Sequence, residues 1–155
     1  MKILIDSREQ APLPFRVGGS ISEVVVEGLP FADYWGETEW GEQMDVVFER
    51  KSLGDLWLTL ANDENHKRFK REMERARKHG VTLILIIEGT YGEVEKGYRY
   101  SRFKGKSMIK LLFTMWVKYN LVTVFCDGRT EMKKYITSFF EARGRWMKQR
   151  RKNGG

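Results

Sequence analysis

One cysteine, Cys126, in 155 residues leaves no partner for an internal disulfide, and with only two histidines no zinc-ligand spacing can be assembled. Long apolar runs are missing as well. The longest, Leu83-Ile84-Leu85-Ile86-Ile87, has the length of a buried strand and falls far short of the ~20 residues a membrane-spanning helix needs. Charge arrives at once, at Lys2 and Asp6, so no signal peptide is expected at the start of the chain. Prolines number only three, and two of them, Pro12 and Pro14, fall in one loop beside the Gly18-Gly19 pair. These absences lead to the expectation of a soluble protein in a reducing, cytoplasmic setting.

What is present is enough for one packed core: 41% of residues are apolar and 13% aromatic. The net charge of +7 is unevenly placed. Residues 1–60 hold 11 acids against 5 bases, residues 61–141 hold 17 bases against 10 acids, and residues 142–155 carry six bases and no acid. An acidic cluster flanked by basic surface suits a protein that holds metal at one point and phosphate around it; solvated basic helices explain the same totals.

Period-2 and helical patterns alternate along the chain. Strands are expected at Lys2–Asp6, Ile21–Glu27, from Asp33 through Trp35, at Met44–Lys51, Thr82–Glu88 and Leu121–Phe125. Glu39-Trp40-Gly41-Glu42 is a turn signal, which places Asp33 and Glu49 on paired strands of one hairpin. Ser52 is the expected N-cap of a short helix through Leu56, Trp57 and Leu60. A second helix runs from Asp63 to His79, with Phe69, Met73 and Ala76 as its apolar stripe and Gly80 as its stop. Ser107–Tyr119 predicts a helix apolar nearly all round, and Thr130 to about Trp146 an amphipathic one. Gly89–Lys106, with four glycines, is expected to be a long irregular segment. The sum is an α/β fold, a mixed central sheet flanked by helices, with residues 1–141 as the domain and 142–155 as a basic helix end and tail.

The chemistry concentrates in Glu49-Arg50-Lys51. Strand alternation puts Glu49 and Lys51 on one face and Arg50 on the other. Val46-Val47-Phe48 makes the strand largely buried, so a charged triplet at its end wants a reason. Hydrolysis of a phosphodiester needs a divalent metal to neutralise phosphate and activate water, and magnesium is satisfied by a few oxygen ligands with its own waters. Asp33 supplies the second carboxylate, and Lys51 is placed to orient the attacking water or steady charge on phosphate.

Glu49-Arg50-Lys51 followed after three residues by Asp55, and preceded by Leu29-Pro30-Phe31-Ala32-Asp33-Tyr34, resembles the nuclease domain of the XPF-type structure-specific endonucleases, within the restriction-endonuclease-like fold. Asp6-Ser7-Arg8-Glu9 resembles that family's N-terminal acidic motif. The resemblance covers residues 1 to about 140. It implies Mg2+ (or Mn2+) held by Asp33 and Glu49, Lys51 as catalytic lysine, and Asp6, Arg8 and Asp55 as further site members. It implies branched DNA as substrate (flaps, forks or Holliday junctions) and a homodimer. Where the family usually has glycine before the aspartate, this chain has Ala32. The tandem helix-hairpin-helix and helicase regions of larger members are not found in these residues, which leaves room for a partner protein that supplies targeting.

Several residues keep two readings. Asp55 serves the site or belongs with Ser52 in a capping box. Asp6 faces the site or accepts backbone N–H groups after the first strand, and Arg8 contacts phosphate or holds Asp6 or Glu9 in an ion pair. Arg50, Lys67, Arg68, Lys70 and Arg71 are the DNA-contact candidates, although i,i+4 pairs such as Glu64–Arg68 and Glu74–Lys78 explain part of the helix charge. Arg99, Arg102, Lys104 and Lys106, interleaved with Tyr98, Tyr100 and Phe103, suit a strand-tracking surface or an ordinary loop. His66 and His79 are expected to be exposed. A metal-dependent DNA endonuclease is the leading reading; a catalytically silent DNA-binding scaffold is the alternative, and the presence of Asp33, Glu49 and Lys51 together argues against it.

Overall fold

The computed structural model describes residues 1–154. Along Thr82–Glu88 (β5) the apolar residues alternate, Leu83, Leu85 and Ile87 against Ile84 and Ile86, and all five are buried, as a strand covered on both faces requires. The neighbouring strand Gln43–Ser52 (β4) runs parallel to it, pairing Glu49 with Leu85 and Lys51 with Ile87. Val122–Cys126 (β6) lies parallel on the outer side of β5. On the other side, Tyr34–Glu37 (β3) pairs antiparallel with β4, Lys2–Asp6 (β1) antiparallel with β3, and Glu23–Glu27 (β2) parallel with β1. The result is one mixed six-stranded sheet in the order β2-β1-β3-β4-β5-β6, the α/β class that the alternating patterns indicate.

The two faces have different covers. Leu4, Trp35, Val47, Leu83, Leu85 and Ile87 pack under Leu53–Leu60 (α1), Asp63–Lys78 (α2) and Gly105–Tyr119 (α4). Ile3, Ile5, Tyr34, Val46, Phe48, Ile84 and Ile86 pack under the long helix Arg129–Lys152 (α5) through Met132, Ile136 and Phe140. At Gly36 the second layer comes so close that a Cβ would sit 2.8 Å from Met44 Sδ and 2.9 Å from the Phe140 ring. α5 continues past the expected end near Trp146 to Lys152, so most of the basic segment from Ala142 is helical.

Three expectations are corrected. Gly89–Lys106 is not irregular throughout: Tyr91–Lys96 (α3) is a helix opened by a capping box, in which the Thr90 side chain accepts from Glu93 N and Glu93 accepts from Thr90 N. Val94 is its one buried residue. α4 is not apolar all round in its packing. It buries Met108, Ile109, Leu112 and Met115, whereas Phe113, Trp116 and Val117 stand exposed. His66 is not simply solvated, because its Nδ1 lies 3.2 Å from the Leu60 carbonyl.

Candidate active site

The alternation of β4 carries past the apolar core into its charged end. Val47 belongs to the face under α1, α2 and α4, and Glu49 and Lys51 follow it there; Phe48 belongs to the α5 face, and Arg50 follows that. Glu49 is buried, with Lys51 Nζ 3.3 Å from its Oε1. Asp33 sits just before β3, where its N–H donates to the Phe48 carbonyl and its Oδ2 accepts from Arg50 N at 2.8 Å. Asp33, Glu49 and Lys51 therefore come together at the edge of the β3–β4 hairpin, as the sequence spacing indicates.

Buried Glu49 and half-buried Asp33 repel, with Lys51 as the one cation paired at the cluster. Burial first, then the charge of Glu9, pushes Asp33 up to about 7 against the opposing N–H of Arg50 and charge of Lys51. Burial, then Asp33 and Glu72, raises Glu49 well above the usual carboxylate range. Such a pair is short of positive charge, and a divalent cation held there would supply what Lys51 alone does not. Among the described residues no group of three or more Asp, Glu, His or Cys side chains converges to cage a metal. Two carboxylates would suffice for an ion that keeps waters of its own, as magnesium does.

The sign of the Asp33 shift carries a prediction. An unfolded aspartate titrates near 3.9, and the folded one near 7, so between those pH values only the folded state still holds the proton. Stability of the metal-free chain thus falls as pH rises through that window. Asp33→Asn, which retains an oxygen for Arg50 N, is expected to melt about 5 °C above the parent at pH 8, with the gap closing near pH 4. A gap that does not vary with pH in thermal melts would refute the burial argument.

Glu72, in the middle of α2, is a carboxylate that the sequence reading missed. Its Oε1 accepts from Ala32 N at 2.7 Å, and it stands close enough to Glu49 to raise that group by a hydrogen bond. Ala32 has φ of 62°, the left-handed region, where glycine, the residue expected from the resemblance, carries no Cβ penalty. Glu72 fastens the turn that aims Asp33. Relief of left-handed strain favours Ala32→Gly by about 1–2 kcal/mol, while lost chain stiffness and one buried methyl together cost a similar amount. Ala32→Gly is therefore expected to shift stability by less than about 1 kcal/mol in urea unfolding, whereas β-branched Ala32→Val loses more than about 2 kcal/mol.

Asp6 and Arg8 form a clamp beside this pair. Buried Asp6 accepts from Leu29 N at 2.9 Å and from Arg8 Nε at 3.0 Å, and Arg8 Nη2 donates to the Leu29 carbonyl. The Asp6 carboxylate is thus occupied in fixing the segment that leads to Asp33. Arg8 itself remains largely exposed, and the charges of Asp6, Glu72 and Asp33 favour its cation. At Asp55 it is the backbone N–H that donates to Ser52 Oγ, at 3.2 Å, while the side chain stands exposed in the first turn of α1.

Arg50 does not join the DNA-contact candidates. Its guanidinium is buried on the α5 face, bidentate to Glu9 at 2.9 and 3.0 Å and 3.6 Å from Glu88. Lys67, Arg68, Lys70 and Arg71 are exposed on α2. Arg68 lies one turn before Glu72 and shares its flank of the helix, whereas Lys70 leans over the Tyr119 ring of α4 at 5.5 Å. The ion pair on this helix is Glu74–Arg77 rather than Glu74–Lys78.

The family model described as "ERCC4 domain" matches residues 5–139. Among solved structures the chain is similar to XPF from Aeropyrum pernix, with 18% identity and a TM-score of 0.64 over 99% of this chain and 68% of that one. It is similar also to the complex of XPF from Aeropyrum pernix with DNA, with 18% identity and a TM-score of 0.63 over 96% and 65%. The chain thus spans about two thirds of those structures. No curated protein matches it. The family match runs from the end of β1, through the Asp33–Glu49–Lys51 hairpin, into α5, and on that extent the chain belongs to the ERCC4 domain family.

Proposed function

We propose that this protein is a metal-dependent DNA endonuclease that hydrolyses phosphodiester bonds in branched DNA. The observation that carries the reading is the cluster of buried Glu49 with half-buried Asp33 and Lys51 at one end of the sheet, where Lys51 pairs with Glu49 and the Arg50 N–H holds Asp33. Asp33 and Glu49 would hold Mg2+, with Mn2+ able to substitute; the ion supplies charge neutralisation at the scissile phosphate and an acidified water. Lys51, 3.3 Å from Glu49, presents an ammonium where a pentavalent phosphate gathers negative charge. Arg8, exposed beside Asp6, is available to a phosphate oxygen. Lys67, Arg68 and Arg71 on α2 extend the positive surface along the strand being held. Asp55, exposed in the first turn of α1 four residues past Lys51, would act from the solvent side, on water or metal.

Phe113, Trp116, Val117 and Tyr119 give α4 an exposed apolar surface that suits a second copy of the chain. A homodimer holds two active sites, an arrangement matched to forks and four-way junctions. A partner protein would add targeting.

The test is incubation of the purified protein with labelled flap, fork, four-way-junction and plain duplex DNA, in Mg2+, Mn2+ or EDTA. Cutting of branched over plain DNA that EDTA abolishes is expected. Cutting that persists in EDTA would overturn the site, and binding without cutting in either metal would establish the scaffold reading instead.

A further inference from the structure

The richest unassigned patch lies between α3 and α4. Lys96, Arg99, Arg102, Lys104 and Lys106 surround a groove of about 600 Å³, with Glu95 as its one acidic residue. Among the described residues none of these five cations has a carboxylate within 4 Å. Some exposed cations elsewhere are paired, as Arg77 is with Glu74 and Arg143 with Asp45; what sets the five apart is that they ring one groove beside exposed aromatic side chains. Here the charge is left for something outside the chain.

The groove is rigid underneath. Phe103 accepts through its carbonyl from the buried Trp57 Nε1 at 2.8 Å, and the Tyr98 ring lies 6.1 Å from the Trp57 ring. Gly105 is obligatory at its closing end, because a Cβ there would lie 2.1 Å from the Glu95 carbonyl oxygen. Beside the groove Tyr100 stands 72% exposed, with the guanidinium of the groove residue Arg99 4.9 Å over its ring and the ring of the groove residue Tyr98 edge-on at 5.3 Å. A large aromatic held out into solvent, backed by arginine, is a stacking platform. A base reaches such a ring only when it is unpaired.

Position ties the groove to the chemistry. The Tyr98 hydroxyl stands 3.2 Å from where a Cβ on Gly54 would be, and Gly54 is three residues past Lys51. Three residues of chain span at most ~11 Å, which with the step out to the Tyr98 hydroxyl makes roughly 16 Å, and phosphates along a strand recur about every 3.4 Å of axis, so the groove's near edge lies within about five nucleotides of Lys51.

We propose that residues 96–106 form a second DNA-contact site, a cationic groove with an aromatic platform that takes a single-stranded arm of the branched substrate a few nucleotides from the bond that is cut. It rests on the reading of the chain as a DNA endonuclease and adds the element that distinguishes a strand leaving a branch from continuous duplex. Phosphates lie against Arg99, Arg102 and Lys104, and a base stacks at Tyr100.

Binding in EDTA separates this site from catalysis. Fluorescence anisotropy of the full chain with a labelled oligothymidylate and with a plain duplex would compare the parent, Arg99→Ala/Arg102→Ala, Tyr100→Ala, and a matched charge removal on α5, Lys133→Ala/Lys134→Ala. The exposed arginines and Tyr100 can be changed without touching the core. Arg99→Ala/Arg102→Ala is expected to weaken oligonucleotide binding at least tenfold and to lower the slope of log K against log salt by about 1.4, for two phosphates at about 0.7 each. Tyr100→Ala is expected to weaken it about fivefold or more with the slope unchanged, and to leave duplex binding within twofold. The proposal is overturned if the arginine variant loses no more than the α5 control, or if both variants weaken duplex and oligonucleotide equally. Failure of the parent to cut any DNA, with these binding differences intact, would remove the nuclease reading and leave the groove.

Discussion

Lys51→Ala is expected to slow cleavage of branched DNA by about 10²–10³-fold in single-turnover reactions while leaving DNA affinity within a few-fold of the parent. The ammonium sits 3.3 Å from Glu49, with only about a fifth of its side chain exposed, so the charge it presents acts in a partly desolvated site where it is worth more than on open surface. Its binding contribution is small by comparison, because the cations on α2 hold the backbone regardless of it. Glu49→Gln is expected to lose at least as much rate, since an amide of the same shape is a poor metal ligand. The two changes act on one unit, so the double variant should be little slower than the worse single. Glu49→Gln should also stabilise the metal-free fold, because burial and the nearby Asp33 already disfavour the carboxylate. Rates within tenfold of the parent for both single variants would remove Lys51 and Glu49 from the reaction.

Much of this arrangement was legible in the residues. The bounds of β1 and β5 match their expected ranges because each is a short apolar run closed by charge. Ser52, Phe69, Met73 and Ala76 take their expected roles for the same local reasons, a cap before a helix and a stripe at helical spacing. Asp33, Glu49 and Lys51 converge because a hairpin and a period of two are enough to bring them together. What escaped depends on contacts far apart in sequence. In the sequence Glu9 stands beside Arg8, yet its partner is Arg50, 41 positions on, reached because Arg50 points to the opposite face of the sheet. Glu72 was lost in a helix crowded with charge. Its place beside Met73, at the border of the buried stripe, was the available signal. The helix Tyr91–Lys96 is marked in the sequence by Thr90-x-x-Glu93, a cap that the expectation of an irregular segment, resting on the glycines, did not include. No periodicity could show that Arg50 is consumed inside the fold, because that depends on which residues lie beyond the end of β1.

Glu9→Ala is expected to destabilise the protein by about 3–5 kcal/mol, or roughly 10 °C in melting temperature, the largest loss of any single polar change in the chain. The Arg50 and Glu9 side chains are only 8% and 6% exposed, so removal of the carboxylate strands a guanidinium away from water, with Glu88 at 3.6 Å as its remaining partner. Burial pushes Glu9 up, but the hydrogen bonds and charge of Arg50, with help from Ala11 N and Tyr34, outweigh it and bring the net shift downward. A depressed carboxylate contributes stability that is present above its unfolded value and lost as pH falls through the folded one. The gap between parent and Glu9→Ala is therefore expected to hold at neutral pH and to shrink below about 4. Breaking a buried pair differs from replacing it, so Glu9→Met/Arg50→Met should recover most of the loss. Activity need not recover with it. The Arg50 N–H holds Asp33 Oδ2 at 2.8 Å, and the ion pair fixes the stretch of β4 from which that N–H is presented. Glu9 and Arg50 thus serve the reaction from the far side of the sheet. The double apolar variant is expected to fold nearly as stably as the parent yet cut more slowly, by the amount that Asp33 has drifted. Equal stability and equal cutting in urea titrations and single-turnover assays would show the pair to be structural alone, and a Glu9→Ala loss below about 1 kcal/mol would show that Glu88 and water suffice to hold Arg50.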